Sequence, residues 1–222
     1  MAQRELALSQ RLRTPRSAGV AGIIFSLLLG AALVLIRLAV PPTSDGEWLT
    51  DSGKRRFVQI ALNLVPFAGI AFLWFIGVIR DRVGDREDRF FATAFLGSGL
   101  LFVAMLFVCA AVAGGLLSDP VGPTGTISSE LWDIERRITL ALMNIYAIRM
   151  GAVFILTTTT IGARTGTLPT WLTVGGYATA VILLFGVTLT PWVSLLMPLW
   201  AFVLSVDMLV KSRVFEPARE PV

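Results

Sequence analysis

The sequence predicts an all-α integral membrane protein, a polytopic bundle of six transmembrane helices with both termini in the cytoplasm. Of its 222 residues, 55% are hydrophobic and only 15% are charged. The mean hydropathy is +0.75, whereas an ordinary soluble chain is about 25% charged. Several apolar stretches reach the ~20 residues that a helix needs to cross the hydrocarbon layer. None alternates like a barrel strand, and lipid leaves the backbone only its own hydrogen bonds, so we expect the spans to be helices.

Six apolar runs follow one another, each bounded by charge, proline or glycine. They cover residues 18–40, 57–79, 90–117, 138–161, 170–190 and 193–210. The runs divide the chain into a basic N-terminal segment (1–17), a transmembrane domain (18–210) and a tail (211–222). The first run is longer than the core of a signal peptide, which has about 7 to 15 residues, and no A-x-A site follows it. We therefore expect it to be retained as the first span.

The orientation follows from the distribution of Lys and Arg, which favours the cytoplasmic side of a membrane. With the N-terminus inside, the inner loops and termini collect Arg4, Arg11, Arg13, Arg16, Arg80, Arg82, Arg86, Arg89, Arg164, Lys211, Arg213 and Arg219. The outer loops collect only Lys54, Arg55, Arg56, Arg136 and Arg137. This asymmetry predicts two cytoplasmic termini in the cell (inner) membrane, and an even number of spans agrees with it.

The composition argues against most kinds of enzyme. His is absent and Cys occurs once, at Cys109 inside an apolar run, where a thiol is more often a small buried hydrophobe than a nucleophile. No phosphate-binding glycine loop, no nucleophile with a histidine base and no metal-ligand spacing is present. The net charge of +4 resides at the ends of apolar runs. We expect no catalytic residue, no metal, no cofactor and no nucleic acid, and a lipid bilayer as the solvent.

Arg149 is the most informative residue, because it lies in the middle of the fourth run. If that span begins at Ile138, a rise of 1.5 Å per residue places Arg149 ~17 Å deep. Asp207 is the one acid inside an apolar run, and from Val193 the same rise places it ~21 Å deep. A charge in hydrocarbon needs a partner. The matched depth predicts an ion pair between Arg149 and Asp207.

Two interpretations of this pair stay open. It is either a packing device that fixes two helices, or part of a substrate or gating site in which Arg149 attracts an anion or a lipid headgroup. Asp207 also has a simpler alternative, at the inner interface beside Lys211 and Arg213.

Matched depth also links two asparagines. Asn63 and Asn144 each lie about six residues inside the outer end of their runs, at ~9 Å depth. They are expected to form an interhelical hydrogen bond, for which packing is the favoured role.

Four consecutive threonines end the fourth span: Thr157, Thr158, Thr159 and Thr160. Threonine in a membrane helix usually bonds back to the preceding turn. A structural role is therefore favoured over an ion pathway, although one hydroxyl could line water.

The segment "RDRVGDREDR" (80–89) is the densest charge run. It holds Arg80, Arg82, Asp85, Arg86, Glu87, Asp88 and Arg89 among its members. The charges nearly cancel, so the run is not the net-basic cluster that binds anionic lipid. A solvated inner turn is favoured, and a docking patch for a partner is the alternative.

Two ladders of small residues indicate close helix packing. One comprises Ala18, Gly22, Ser26 and Gly30, and the other Ala110, Ala111, Gly114 and Gly115. Small residues let helix backbones approach where lipid supplies no hydrophobic drive. The ladders pack either within the chain or against a membrane partner or a second copy.

The stretches "RTPRSAGVAGIIFSLLLG" and "TGTLPTWLTVGGYATAVILLFG" resemble small multi-pass proteins of actinobacterial genomes. That resemblance implies a bacterial six-span layout and transfers no active residues.

The sequence thus favours a non-enzymatic membrane protein, an accessory or scaffold subunit of a membrane complex. The alternative is a transport protein, a small channel or permease for an anion or small solute, with Arg149 in its pathway.

Overall fold

The computed structural model describes residues 15–40, 51–83, 89–118, 129–186 and 190–214. Within these ranges the regular structure is helical throughout, and no strand is present. The seven α-helices are α1 (Pro15–Ala39), α2 (Ser52–Val83), α3 (Arg89–Ser118), α4 (Ser129–Ala141), α5 (Ile148–Arg164), α6 (Thr170–Phe185) and α7 (Leu196–Val214). A π-helical turn (Leu142–Ala147) joins α4 to α5, and a 3-10 turn (Pro191–Leu195) precedes α7.

Five helical segments of the described chain are long and apolar enough to cross a membrane. They are Gly19–Ala39, Ser52–Arg80, Phe90–Gly115, Trp132–Arg164 and Trp192–Ser212. The helix Thr170–Phe185 is apolar but shorter, with 16 residues, which corresponds to about 24 Å of helix. These helices indicate a multi-pass membrane protein, and the predicted all-helical class is confirmed.

The helices pack in a simple order. α1 lies against α2 and α7, α3 lies against α2 and α5, and α6 packs on α5. One end of the bundle holds Arg80, Arg164 and Lys211 and is called the Lys211 end below. The opposite end holds Arg55 and Trp132 and is called the Trp132 end. Here Trp132 is buried with Ala39 and Val58, and Arg55 Nη2 donates to the Leu117 carbonyl at 3.2 Å.

Local signals fix where the helices begin and turn. Asp51 Oδ1 accepts hydrogen bonds from the backbone N–H groups of Gly53 (2.8 Å) and Lys54 (3.2 Å), which caps the start of α2. The short connection from α5 to α6 needs Gly166, whose φ of +67° is a left-handed conformation that other residues rarely adopt. Pro169 then accepts from the N–H groups of Leu172 and Thr173 and begins α6.

A cluster of phenylalanines fills the centre of the bundle. The Phe72 ring on α2 meets one ring from each of three other helices, namely Phe25 on α1 (centroids 4.5 Å apart), Phe102 on α3 (5.1 Å) and Phe154 on α5 (4.9 Å). All four rings are fully buried. Because aromatic pairs add dispersion and quadrupole attraction, this cluster ties four helices together without polar groups.

Two glycines allow close approach beside this cluster. A Cβ on Gly22 would overlap Ser205 Oγ on α7 and lie 2.8 Å from the Phe75 ring on α2. A Cβ on Gly151 would lie 3.2 Å from Phe102. Part of the first small-residue ladder therefore packs within the chain, whereas Gly30, Gly114 and Gly115 face open space.

Candidate functional site

Arg149 lies in the first turn of α5, between two charged positions of the continuous helical stretch that runs from α4 through the π turn to the end of α5. It is 12 residues from Arg137 and 15 from Arg164 in the sequence, which corresponds to about 18 Å and 22 Å of helix. The side chain is half-buried. On insertion scales a charge at this depth costs about 2.5 to 3.5 kcal/mol, so its surroundings decide what it does.

The helix places Arg149 opposite the face that enters the core. The core-facing stripe of α5 contains Ile148, Gly151, Phe154 and Ile155, all buried. At 100° per residue, Arg149 shares its face with Ile145 and Leu156 instead. No hydrogen bond, ion pair or ring contact to Arg149 is found among the described residues.

Asp207 is paired elsewhere. Its Oδ2 atom lies 2.8 Å from the Nζ of Lys211, one turn further along α7. Lys211 Nζ also donates to the Thr167 carbonyl at 3.0 Å, which ties the α5–α6 connection to α7. The expected ion pair with Arg149 is therefore absent from the described structure. The simpler alternative, in which Asp207 stands beside Lys211, agrees with this geometry.

The reason is the register between α5 and α7. The two helices run in the same direction, and Gly151 on α5 meets Met197 on α7. Asp207 lies ten residues beyond Met197, whereas Arg149 lies two residues before Gly151, so the two charges are about 18 Å apart along the bundle. The matched depth assumed that both spans start at the same level. Instead α4 begins at Ser129, and α7 is preceded by a 3-10 turn.

Three of the four consecutive threonines bond back to their own helix. Thr157 donates to the Val153 carbonyl at 2.9 Å, Thr158 to that of Phe154 at 2.7 Å and Thr160 to that of Leu156 at 2.8 Å. This is the structural behaviour that the sequence favoured.

Thr159 is the exception. Its side chain is fully buried, and its hydroxyl has no hydrogen-bond partner. It lies against the backbone of Gly176 on α6, where a Cβ would overlap it. Beside it, the Tyr177 hydroxyl donates to Thr160 Oγ1 at 3.2 Å. Thr159 and Thr160 therefore contribute to the contact between α5 and α6.

The two asparagines are not brought together. Asn63 is exposed on α2, and Asn144 is half-buried in the π turn. That turn packs against α3 rather than α2, and no hydrogen bond joins the two side chains in the described structure. The π turn has no strong sequence signal, yet such turns are rare and frequently occur at functional sites.

Only part of the charged run 80–89 is described. Arg80 is exposed at the end of α2. Arg82 belongs to α2 and Arg89 begins α3. Asp85, Arg86, Glu87 and Asp88 lie outside the described residues. Nearby, the Arg164 guanidinium lies 4.3 Å from the centroid of the Phe91 ring, which is a cation–π contact.

A cavity of about 130 Å³ opens at the Lys211 end, where no local sequence pattern predicts one. Its walls combine the apolar side chains of Ile79, Leu204 and Met208 with Thr158, Asp207 and Lys211. The polar groups that face it already have partners, since Asp207 binds Lys211 and Thr158 binds its own helix.

The remaining chemistry-bearing side chains give no further site. Cys109 is half-buried and its Sγ lies 3.6 Å from the Thr139 carbonyl. Within the described ranges, no three His, Cys, Asp or Glu side chains are close enough to hold a metal ion. Comparison with protein-family models, with curated proteins and with solved structures found no match for this chain.

Proposed function

We propose that this chain is a non-enzymatic accessory or scaffold subunit of a complex in a bacterial cell (inner) membrane. The observation that carries the proposal is the closed aromatic centre, in which Phe72 contacts the rings of Phe25, Phe102 and Phe154. The centre of this bundle is apolar at the level of these four rings, which are fully buried. We therefore expect such a bundle to bind other molecules through its outer surface.

The proposed arrangement has six spans and two cytoplasmic termini. The excess of Lys and Arg supports the Lys211 end as the cytoplasmic one. As the fifth span, α6 is only about 24 Å long, but the 3-10 turn before α7 adds length to the hairpin at the Trp132 end. Phe185 at the end of α6 is 77% exposed, and an exposed apolar side chain there suits a subunit that binds a neighbour.

A channel or permease for an anion is the second candidate. Two observations favour it, namely Arg149, which has no partner among the described residues, and the cavity beside Asp207 and Lys211. The cavity and Arg149 are separated along the bundle by the level of Phe154, whose ring is part of the closed centre. A conduit would therefore need these rings to move apart.

One purification separates the two functions. The full chain is expressed in a bacterial host and isolated in mild detergent. The same preparation is reconstituted into liposomes, and chloride flux is measured. A companion protein at fixed stoichiometry, together with no flux above empty liposomes, supports the subunit. A chain that elutes alone and conducts chloride, with flux lost in Arg149→Gln and kept in Arg137→Gln, overturns it in favour of the conduit.

A further inference from the structure

We infer that the face of α5 around Arg149 is the docking site for a transmembrane helix of another protein, one that carries a single Asp or Glu at the same depth. The inference rests on the proposed function and names the chemistry of the partner. It follows from one unmatched charge, from its surface position and from the absence of a suitable acid in a second copy.

The charge is unmatched within the described chain. Arg149 has no hydrogen-bonding or ionic partner there, although a guanidinium carries five N–H donors. Neutral lipid tails offer it no acceptor. Charged side chains inside membranes almost always pair with one another, meet backbone carbonyls or face water, so on a lipid-facing surface the partner of Arg149 comes from outside the described chain.

The end of α6 lies near the level of Arg149. Its antiparallel register with α5 is set by the contacts of Thr159 with Gly176 and of Thr160 with Tyr177. Extended toward the Trp132 end, this register places Phe185, the last residue of α6, level with Gly151 on α5. Arg149 therefore lies just past the point where α6 ends. The end of α6 carries only about half a negative charge from its dipole, which leaves Arg149 partly uncompensated.

Exposed apolar side chains around Arg149 form a surface on which a helix can pack. Tyr146 and Ile145, in the π turn just before α5, are 54% and 45% exposed, and Phe185 at the end of α6 is 77% exposed. A helix laid on this face would bury these side chains around the guanidinium. Desolvation would strengthen the ion pair at its centre, because a carboxylate can accept two N–H bonds from Arg.

A second copy of this chain does not supply the acid. Asp207 is the one acid inside an apolar run, and in a parallel dimer it would lie about 18 Å from the level of Arg149. It is also occupied by Lys211. Charge complementarity therefore selects a different protein.

The test uses a probe of known chemistry. Full-length protein with a donor fluorophore at its C-terminus is reconstituted in phosphatidylcholine vesicles with an acceptor-labelled polyleucine helix. One probe carries a central Asp, and the matched probe carries Leu throughout. Energy transfer at neutral pH measures association, and it is repeated for Arg149→Gln, Arg149→Lys and the control Arg137→Gln, which alters a charge on α4 outside the apolar run.

The wild-type chain is expected to bind the Asp probe about tenfold more tightly than the Leu probe. Arg137→Gln and Arg149→Lys should keep a preference, while Arg149→Gln should lose it. Arg149→Glu should transfer the preference to a probe with a central Lys. Equal binding of both probes by the wild-type chain, or a preference that survives in Arg149→Gln, overturns the inference.

A lipid phosphate is the competing partner, and a second arm detects it. Vesicles containing phosphatidylglycerol are compared with neutral ones. If the anionic lipid raises the unfolding temperature of the wild-type chain but not of Arg149→Gln and erases the probe preference, the guanidinium is held by lipid and docking is overturned. The proposed function is tested separately. If a companion protein co-purifies equally with the wild-type chain and with Arg149→Gln, the subunit function is retained and only the docking site at Arg149 is rejected.

Discussion

Thr159 on α5 and Gly176 on α6 touch so closely that no Cβ fits between them. This contact seals the interface between a full-length span and the short helix beside it. The contact also distinguishes two adjacent glycines of α6. Gly176 is buried in it, while Gly175 faces open space.

Gly176→Val should therefore separate α5 from α6. Overpacking of this kind costs about 1 to 3 kcal/mol, and we expect a loss of that size in unfolding followed by circular dichroism in mixed micelles. Gly175→Val is the matched control and should change stability by much less. Equal losses for both variants would show that the close contact does not limit the packing.

Thr159→Val should leave stability unchanged or raise it. The substitution keeps the shape of the side chain and removes a buried hydroxyl that has no hydrogen-bond partner, and such a group costs about 1 to 3 kcal/mol. Thr158→Val is the comparison, because it removes a hydroxyl that donates to Phe154 at 2.7 Å. A Thr159→Val variant less stable than Thr158→Val would mean that the hydroxyl has a partner, such as a bound water.

Asp207→Asn should destabilise the chain by about 1 kcal/mol, because the Lys211 side chain is 44% exposed and the pair is partly screened, although Asp207 itself is only 16% exposed. The measurement is again unfolding in micelles, with Lys211→Gln as the companion variant.

The combined change of Arg149→Asp with Asp207→Arg should not restore expression lost by either single change, because the two positions lie far apart along the bundle. Recovery in the double variant would reinstate the pair expected from depth alone.

Phe72→Ala should be the most damaging of these changes. The ring contacts three other helices, and deletion of a fully buried Phe costs about 3 to 5 kcal/mol. Trp74→Ala, two residues away with a 52% exposed side chain, is the control on the same helix. If both variants unfold alike, the centre of the bundle is not organised around Phe72.

The sequence by itself determined the class of the protein and the places of its main helices. Hydropathy is a local property, so the apolar runs around Gly22, Phe72 and Phe102 could be read directly from composition and length. The back-bonding of Thr157, Thr158 and Thr160 was also predictable, because it needs only the carbonyl one turn earlier. The sixth span and the cytoplasmic termini stay predictions.

Only the tertiary structure decided which distant residues meet. Asp207 pairs with Lys211 rather than Arg149 because the relative level of two helices depends on where each begins and how they pack, and a π turn and a 3-10 turn alter both. No local sequence pattern predicts such an axial shift between two helices, which grows by 1.5 Å for each residue of offset. The sequence thus identified Arg149 as a charge in need of a partner, and the fold showed that its own chain, where described, does not provide one.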